Sequence, residues 1–297
     1  MPTAKEYRGE LLCLMGGAGT GKSNFWAQAP QPHAVLCVDK PVLVALPDGF
    51  PSYDPALTFG KFYPPPQKDL TDDKQLPSRN IFDELLRDIE CIKGALYRET
   101  QSFSIGRVVD VKKNVIVEGE EWPLPKTIVV EGMDFVRDHC VNWILHTQGK
   151  HHMDEFTTAD GRPNLFLGWG LVAAKMEELF ANLAFLPSIA PVNVVVTIGL
   201  DEEKKRQSVN GKMEIVSTGL WDPAFGGKMS LEAPRKFRDC WLTERVASKY
   251  FVHTASTPKT EKFRGLRSGR HGLQTVEDVT IAKPYINQWQ RLFGGVK

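Results

Sequence analysis

The segment Gly16-Gly-Ala-Gly-Thr-Gly-Lys-Ser23 limits the possible folds more than any other part of the chain. It fits G-x-x-x-x-G-K-[ST] and lies between an apolar run, Leu11-Leu-Cys-Leu-Met15, and a segment from Lys22 to Ala29 with the composition of a short helix stopped before Pro30. A second apolar run, Ala34-Val-Leu-Cys-Val38, follows, so the opening reads as strand, helix, strand with both strands buried on two faces. Glycines at these spacings let consecutive amide N–H groups turn inward into a nest for an anion. The expected nucleotide contacts are Gly16, Gly17, Ala18, Gly19, Thr20, Gly21, Lys22, Ser23 and Asn24. Lys22 is placed on β- and γ-phosphate oxygens, and Ser23 offers its hydroxyl to Mg²⁺. The competing reading is a Gly-rich turn with no ligand. No Asn-Lys-x-Asp signature for guanine occurs, which favours ATP.

A phosphate loop needs an acidic partner for the metal, expected at the end of another core strand. Thr127-Ile-Val-Val-Glu131 fits best: four strand-forming residues carry a carboxylate to the strand's end. Glu131 is the candidate for holding Mg²⁺ or polarising the attacking water, with Asp134 as the runner-up. Asp39 ends the second strand in a comparable way, either facing the nucleotide or capping the strand in solvent.

The rest of the chain supports an α/β reading with a mainly parallel central sheet flanked by helices and decorated with β-hairpins. Residues 41–79, rich in Pro, Asp, Lys and aromatics, are expected to be irregular. Ile81 to Arg98 carries apolar residues at helical spacing, and 133–147 also reads as a helix. Within 103–122, Arg107 to Val111 and Val115 to Glu118 suggest a hairpin around Lys112-Lys-Asn114. A loop is expected over 148–168, a helix over Leu171 to Leu186 ending before Pro187, and a strand over Asn193 to Ile198. Asp201 to Arg206 is a charge cluster, and 208–215 reads as a polar hairpin with an Asn-Gly turn. Strands are expected at Asp239 to Val246, Tyr250 to Thr254 and Val279 to Ala282. The 297 residues are read as one domain, 1–297, with insertions at 41–79, 103–122 and 255–275.

Composition narrows the class. With 37 Lys+Arg against 36 Asp+Glu, no global field points to a nucleic acid or a membrane, so any such surface is local. The five cysteines have no metal-ligand spacing and read as reduced, in keeping with a cytoplasmic protein. Leu179 to Leu200 is free of charge and near membrane-spanning length, but Pro187, Pro191, Asn182 and Asn193 break it into helix and strand, and no membrane association is expected.

Taken in order, the loop at 16–23, Ala34-Val-Leu-Cys-Val-Asp39, Thr127-Ile-Val-Val-Glu-Gly132, the helix after Gly168-Trp-Gly170, Val192-Asn-Val-Val-Val-Thr197 and Pro223-Ala-Phe-Gly-Gly-Lys228 resemble the phage-encoded RecA-like P-loop ATPases. That group includes single-strand annealing proteins of phage recombination, and the resemblance runs from about residue 9 to about residue 282. It implies a RecA-like core, ATP with Mg²⁺, single-stranded DNA as partner, a homo-oligomeric ring or filament, a possible phage single-strand binding protein as a further partner, and a place in the host cytoplasm. Two positions depart from the pattern: Glu131 is the longer acid, and no polar sensor stands near Gly199.

From Lys259 to Arg270 the chain carries five basic residues and one acid. The resemblance makes Lys262, Arg264, Arg267 and Arg270 candidates for reaching a neighbouring subunit's γ-phosphate, with Arg264 and Arg267 named as catalytic. A second reading is a phosphate-tracking surface for single-stranded DNA formed by Lys259, Lys262, Arg264, Arg267 and Arg270, with Phe263 as a stacking platform. A solvated charged loop is the third. Lys228 is a further cation near a turn. His151-His152, with Asp154 and Glu155 nearby, read as a polar loop, since adjacent histidines do not share a helix face. Trp169 is expected to pack at a helix start. Two other functions compete with a DNA-recombination ATPase: a small-molecule or nucleotide kinase with an arginine lid over the phosphates, and a nucleotide-gated loader that does not hydrolyse.

Overall fold

The computed structural model describes residues 9–38, 46–64, 80–105, 108–110, 115–117, 120–209, 212–225, 229–268 and 273–294. In chain order they form β1 (Leu11–Met15), α1 (Lys22–Trp26), β2 (His33–Cys37), β3 (Thr58–Phe62), α2 (Asn80–Arg98), β4 (Ser102–Ile105), β5 (Val108–Asp110), β6 (Val115–Val117), β7 (Glu120–Pro123) and β8 (Thr127–Glu131). There follow α3 (Met133–Thr147), α4 (Leu165–Ile189), β9 (Asn193–Ile198), β10 (Leu200–Val209), β11 (Lys212–Pro223), α5 (Met229–Glu232), β12 (Asp239–Val246), β13 (Lys249–His253), β14 (Val276–Asp278) and α6 (Gln288–Phe293).

An eight-stranded sheet runs in the order β14-β13-β12-β1-β9-β8-β2-β3. Pairing is parallel between β1 and β12, β2 and β8, and β2 and β3. Only the β12–β13–β14 edge is antiparallel among the registered pairs of this sheet. The apolar runs earn their places: β1, β2 and β8 are buried at all five positions, and such strands show no alternation because both faces are covered. The expected α/β architecture with a mainly parallel central sheet and hairpin additions is therefore present.

The described residues of Met1–Glu10, Pro30–Leu43 and Ala56–Val194 form one compact unit, and those of Leu11–Ala29, Val44–Pro55 and Val195–Lys297 form another. In the first unit, α2 buries Phe82, Leu85, Ile89, Ile92 and Leu96 at helical spacing. The Trp143 indole of α3 donates to Asp83 Oδ1 of α2 at 2.6 Å. In the second unit an aromatic cluster joins the two short helices to β12: Phe25 meets Trp241 and Trp289, and Phe293 stacks on Trp241 (5.1 Å) and Trp289 (4.3 Å). The Gln288 amide N–H donates to Gln28 Oε1, fixing α6 to the end of the α1 turn.

Several sequence expectations are corrected. The segment 41–79 is not wholly irregular, because Thr58–Phe62 pairs along β2 as an edge strand; Gly60 and Lys61 hide its pattern, and Lys61 is there to bind Glu84 and Asp88. Residues 65–79 lie outside the described residues. The helix begins at Leu165 rather than Leu171, with the Asn164 side chain accepting from the Leu167 N–H, and it runs through Pro187 to Ile189. Pro187 sits in the last turn, where few bonds remain to lose, and the Ala190 N–H closes the helix on Leu186 O. Helix α1 stops at Trp26 instead of Ala29, since Gln28 and Ala29 turn tightly onto Phe25 and Trp26 carbonyls. The 208–215 hairpin is part of a much longer ribbon, Leu200 to Pro223, whose charged residues defeated an apolar-pattern search. The final strand is Val276–Asp278, not 279–282. Within 103–122 the expected hairpin is present, since β5 pairs antiparallel with β6, and β4 pairs with β7 in addition; Lys112-Lys-Asn114 lies outside the described residues.

Candidate nucleotide site

The loop joins β1 to α1 and is tied down by hydrogen bonds from two other strands, β9 and β12. The Gly16 N–H donates to Ile198 O at the end of β9 (3.1 Å). The Thr243 hydroxyl of β12 donates to Met15 O at 3.1 Å and lies 2.7 Å from the Thr20 hydroxyl, which also donates to Gly17 O at 2.8 Å. A Cβ on Gly16 would fall 2.4 Å from Thr243 Oγ1 and 2.8 Å from Thr243 O, so no side chain fits there. Gly21 precedes α1 in the left-handed region (φ 93°), and a Cβ on it would fall 2.6 Å from the Tyr250 ring. Both glycines are required, one by space and one by conformation and space together.

Gly17, Ala18 and Gly19 are exposed, while Gly16 is buried. The Lys22 ammonium donates to Gly16 O (2.6 Å) and Gly17 O (2.8 Å), which holds its charge over the loop. Ser23 and Asn24 follow on the first turn of α1 and are half-buried. The loop's donors have the chemistry of the expected group: an ammonium and loop amides suit phosphate oxygens, and a serine hydroxyl suits the hard Mg²⁺ ion.

Glu131 ends β8, is buried at 6% exposure, and precedes Gly132, the left-handed N-cap of α3. Asp134 sits in the first turn of α3. Asp39, Lys228 and Arg270 lie outside the described residues.

The basic segment is not a uniform surface. Arg264 forks onto Asp222, with Nε at 2.6 Å from Oδ1 and a second contact from Nη2 to Oδ2, and it also donates to Glu203 Oε1 at 3.0 Å. Its guanidinium therefore pins the base of the β10–β11 ribbon. The Asp222 bond is the main reason that the Arg264 pKa rises further, and the Thr218 hydroxyl, then Arg264, hold the Glu203 carboxyl below its usual range. Lys259, Lys262 and Arg267 are exposed. Arg267 is anchored by its backbone, which exchanges hydrogen bonds with Cys240 on β12 (2.8 and 3.0 Å). Phe263 is half-buried against Trp221 at 6.5 Å, with the Lys262 ammonium 5.2 Å from its ring centre.

Elsewhere, the His151 and His152 amides both donate to Glu155 Oε1, which commits that carboxylate to a 3-10 turn. Among the described residues no cluster of three or more His, Cys, Asp or Glu is arranged to hold a metal, and no helix is long and apolar enough to cross a membrane. Trp169 is 45% exposed, and Leu165, Phe166 and Leu167 on the same turns are exposed as well. The neighbouring Gly168 takes the buried position, where a Cβ would lie 2.7 Å from Phe156, and one helical step turns Trp169 away.

Sequence reasoning missed Thr243 and Tyr250. Both belong to strands read correctly as strands, but nothing in their local pattern says that β12 lies beside β1. No protein-family model matches the chain, and no curated protein is significantly similar to it.

Proposed function

We propose that the protein is an ATP-binding P-loop ATPase with a RecA-like core that uses Mg²⁺ and acts on single-stranded DNA as a homo-oligomer. The observation that carries the nucleotide reading is the loop itself: a G-x-x-x-x-G-K-S sequence set between β1 and α1, with the Lys22 ammonium held over the Gly16 and Gly17 carbonyls. The sheet supports the core, since β12 runs parallel to β1 and Glu131 ends β8.

The loop amides, Lys22 and Asn24 bind and orient the phosphates, and Ser23 and Glu131 are the residues that would hold Mg²⁺. The metal, when bound, offsets charge on the β- and γ-phosphate oxygens. Glu131, which ends a core strand and is buried at 6% exposure, is also the candidate for polarising the attacking water.

The DNA half of the proposal rests on the resemblance and on the exposed cations Lys259, Lys262 and Arg267. Arg264 is assigned to structure, because its fork is spent on Asp222 and Glu203. Arg267 is then the better candidate for a cation acting on a neighbouring subunit's nucleotide. ATP turnover measured with and without single-stranded oligonucleotide tests the proposal. Stimulated turnover and DNA retention at low salt are expected; turnover indifferent to DNA, with no retention, overturns the DNA half.

A further inference from the structure

Tyr250 and Arg245 stand beside the loop and take no part in the phosphate chemistry. Tyr250 is the second residue of β13, and its backbone is fixed on both sides: its N–H donates to Thr280 Oγ1 (2.9 Å), and its carbonyl accepts from the Val279 N–H (2.9 Å). The ring is thereby held against Gly21, where a Cβ would come within 2.6 Å of Cδ1 and 3.2 Å of Cε1. The Arg245 guanidinium lies 5.5 Å from the ring centre, steered there by a bond from its Nε to Ala247 O at 3.0 Å. Neither the Tyr250 hydroxyl nor the terminal Arg245 nitrogens find a protein partner among the described residues, and the ring is half-exposed.

From this we infer that the turn between β12 and β13 carries the nucleoside end of the bound nucleotide, with a purine base stacked on the face of the Tyr250 ring opposite the Arg245 guanidinium. The inference rests on the proposed nucleotide reading and extends it to the base. Three facts point the same way. The ring abuts the residue immediately before Lys22, within reach of a nucleoside whose phosphates occupy the loop. A flat phenol with a planar guanidinium over one face leaves the other face as the kind of surface on which bases stack. The backbone anchors hold the ring in place before any ligand arrives, so little ordering is needed on binding. Recognition by stacking separates purines from pyrimidines and places little weight on base edges.

The test compares ATP, GTP, CTP and inorganic tripolyphosphate, each with Mg²⁺, in calorimetric titrations of the full chain and of Tyr250→Ala, Tyr250→Phe and Arg245→Ala. Tyr250→Ala is expected to weaken ATP by about ten- to a hundredfold while tripolyphosphate changes by less than about twofold, and Tyr250→Phe is expected to keep most of the ATP affinity. Arg245→Ala is expected to weaken ATP by a smaller factor and to spare tripolyphosphate. Both purine nucleotides are expected to bind more tightly than CTP. Equal loss of ATP and tripolyphosphate in Tyr250→Ala would mean that the ring only seats the loop, and the inference would fall. CTP binding as tightly as ATP, or no change with Tyr250→Ala, would overturn it as well. If the unaltered chain bound neither ATP nor tripolyphosphate, the nucleotide reading itself would fail.

Discussion

The hydroxyls of Thr20 and Thr243 lie 2.7 Å apart, although 223 positions separate them in the chain. Thr243 also lies within reach of Met15 O, and Thr20 of Gly17 O; each hydroxyl has one proton, so two of these three contacts are hydrogen bonds at any time, and together they link β12 through β1 to the phosphate loop. Thr243→Val removes the hydroxyl at nearly constant volume and is expected to weaken ATP binding several-fold while the fold persists. Thr243→Ser should restore it. Titration of ATP into the three proteins checks the expectation; equal affinities would show that the contact does not set the loop.

Arg264 should behave as a structural residue. Arg264→Ala is expected to cost about 1–2 kcal/mol, the range for losing charge-assisted hydrogen bonds at a part-exposed site. It should also speed proteolysis within Leu200 to Pro223, the ribbon whose base it clamps. Arg264→Lys should recover only part of the loss, since an ammonium cannot fork onto Asp222. Urea denaturation and limited proteolysis report the two effects. Arg267→Ala, by contrast, should leave stability and ATP binding intact and reduce turnover.

These contrasts show what the sequence could convey. The loop was legible because backbone chemistry demands glycines at fixed offsets, and the strands Leu11–Met15, Thr127–Glu131 and Asn193–Ile198 because burial on two faces leaves unbroken apolar runs. Thr58–Phe62 escaped notice because an edge strand is covered on fewer sides and can carry Gly60 and Lys61. The division of the basic segment into a clamped Arg264 and exposed neighbours depends on Asp222 and Glu203, which lie 42 and 61 positions away. Nothing local in 259–270 reveals those partners. Tyr250 was hidden for the same reason: its contact with Gly21 exists only once β12 has paired with β1.

His139, buried in α3 with its Nε2 3.0 Å from Pro64 O, gives the protein a pH dependence of known sign. Burial lowers its pKa below the ordinary 6.5, and the Pro64 carbonyl opposes that shift in part. The unfolded chain therefore binds the proton more readily, so stability is complete above pH 6.5 and is lost as pH falls through the unfolded and then the folded pKa. Melting temperature is expected to fall between about pH 7 and about pH 5, and His139→Gln should flatten that slope. A variant with the same slope as the parent would show that other groups set it.

Thiol labelling checks the packing independently. Cys13, Cys37, Cys140 and Cys240 are buried, and Cys91 on α2 is exposed. Burial pushes the Cys140 thiol up to about 12, and Cys91 is also raised, by desolvation first and by Asp88 second. Iodoacetamide should modify Cys91 alone in the folded protein, slowly near neutral pH and faster as pH rises, and all five thiols after denaturation. Rapid labelling of Cys13 or Cys240 in the folded state would contradict the placement of β1 beside β12.

Calorimetric titration of Mg²⁺·ATP into the full chain and into Lys22→Ala addresses the phosphate loop most directly. The account predicts saturable binding of one nucleotide per chain, weakened by about a hundredfold or more when the Lys22 ammonium is removed. Equal affinity in the two proteins, or no binding by the unaltered chain, would contradict it.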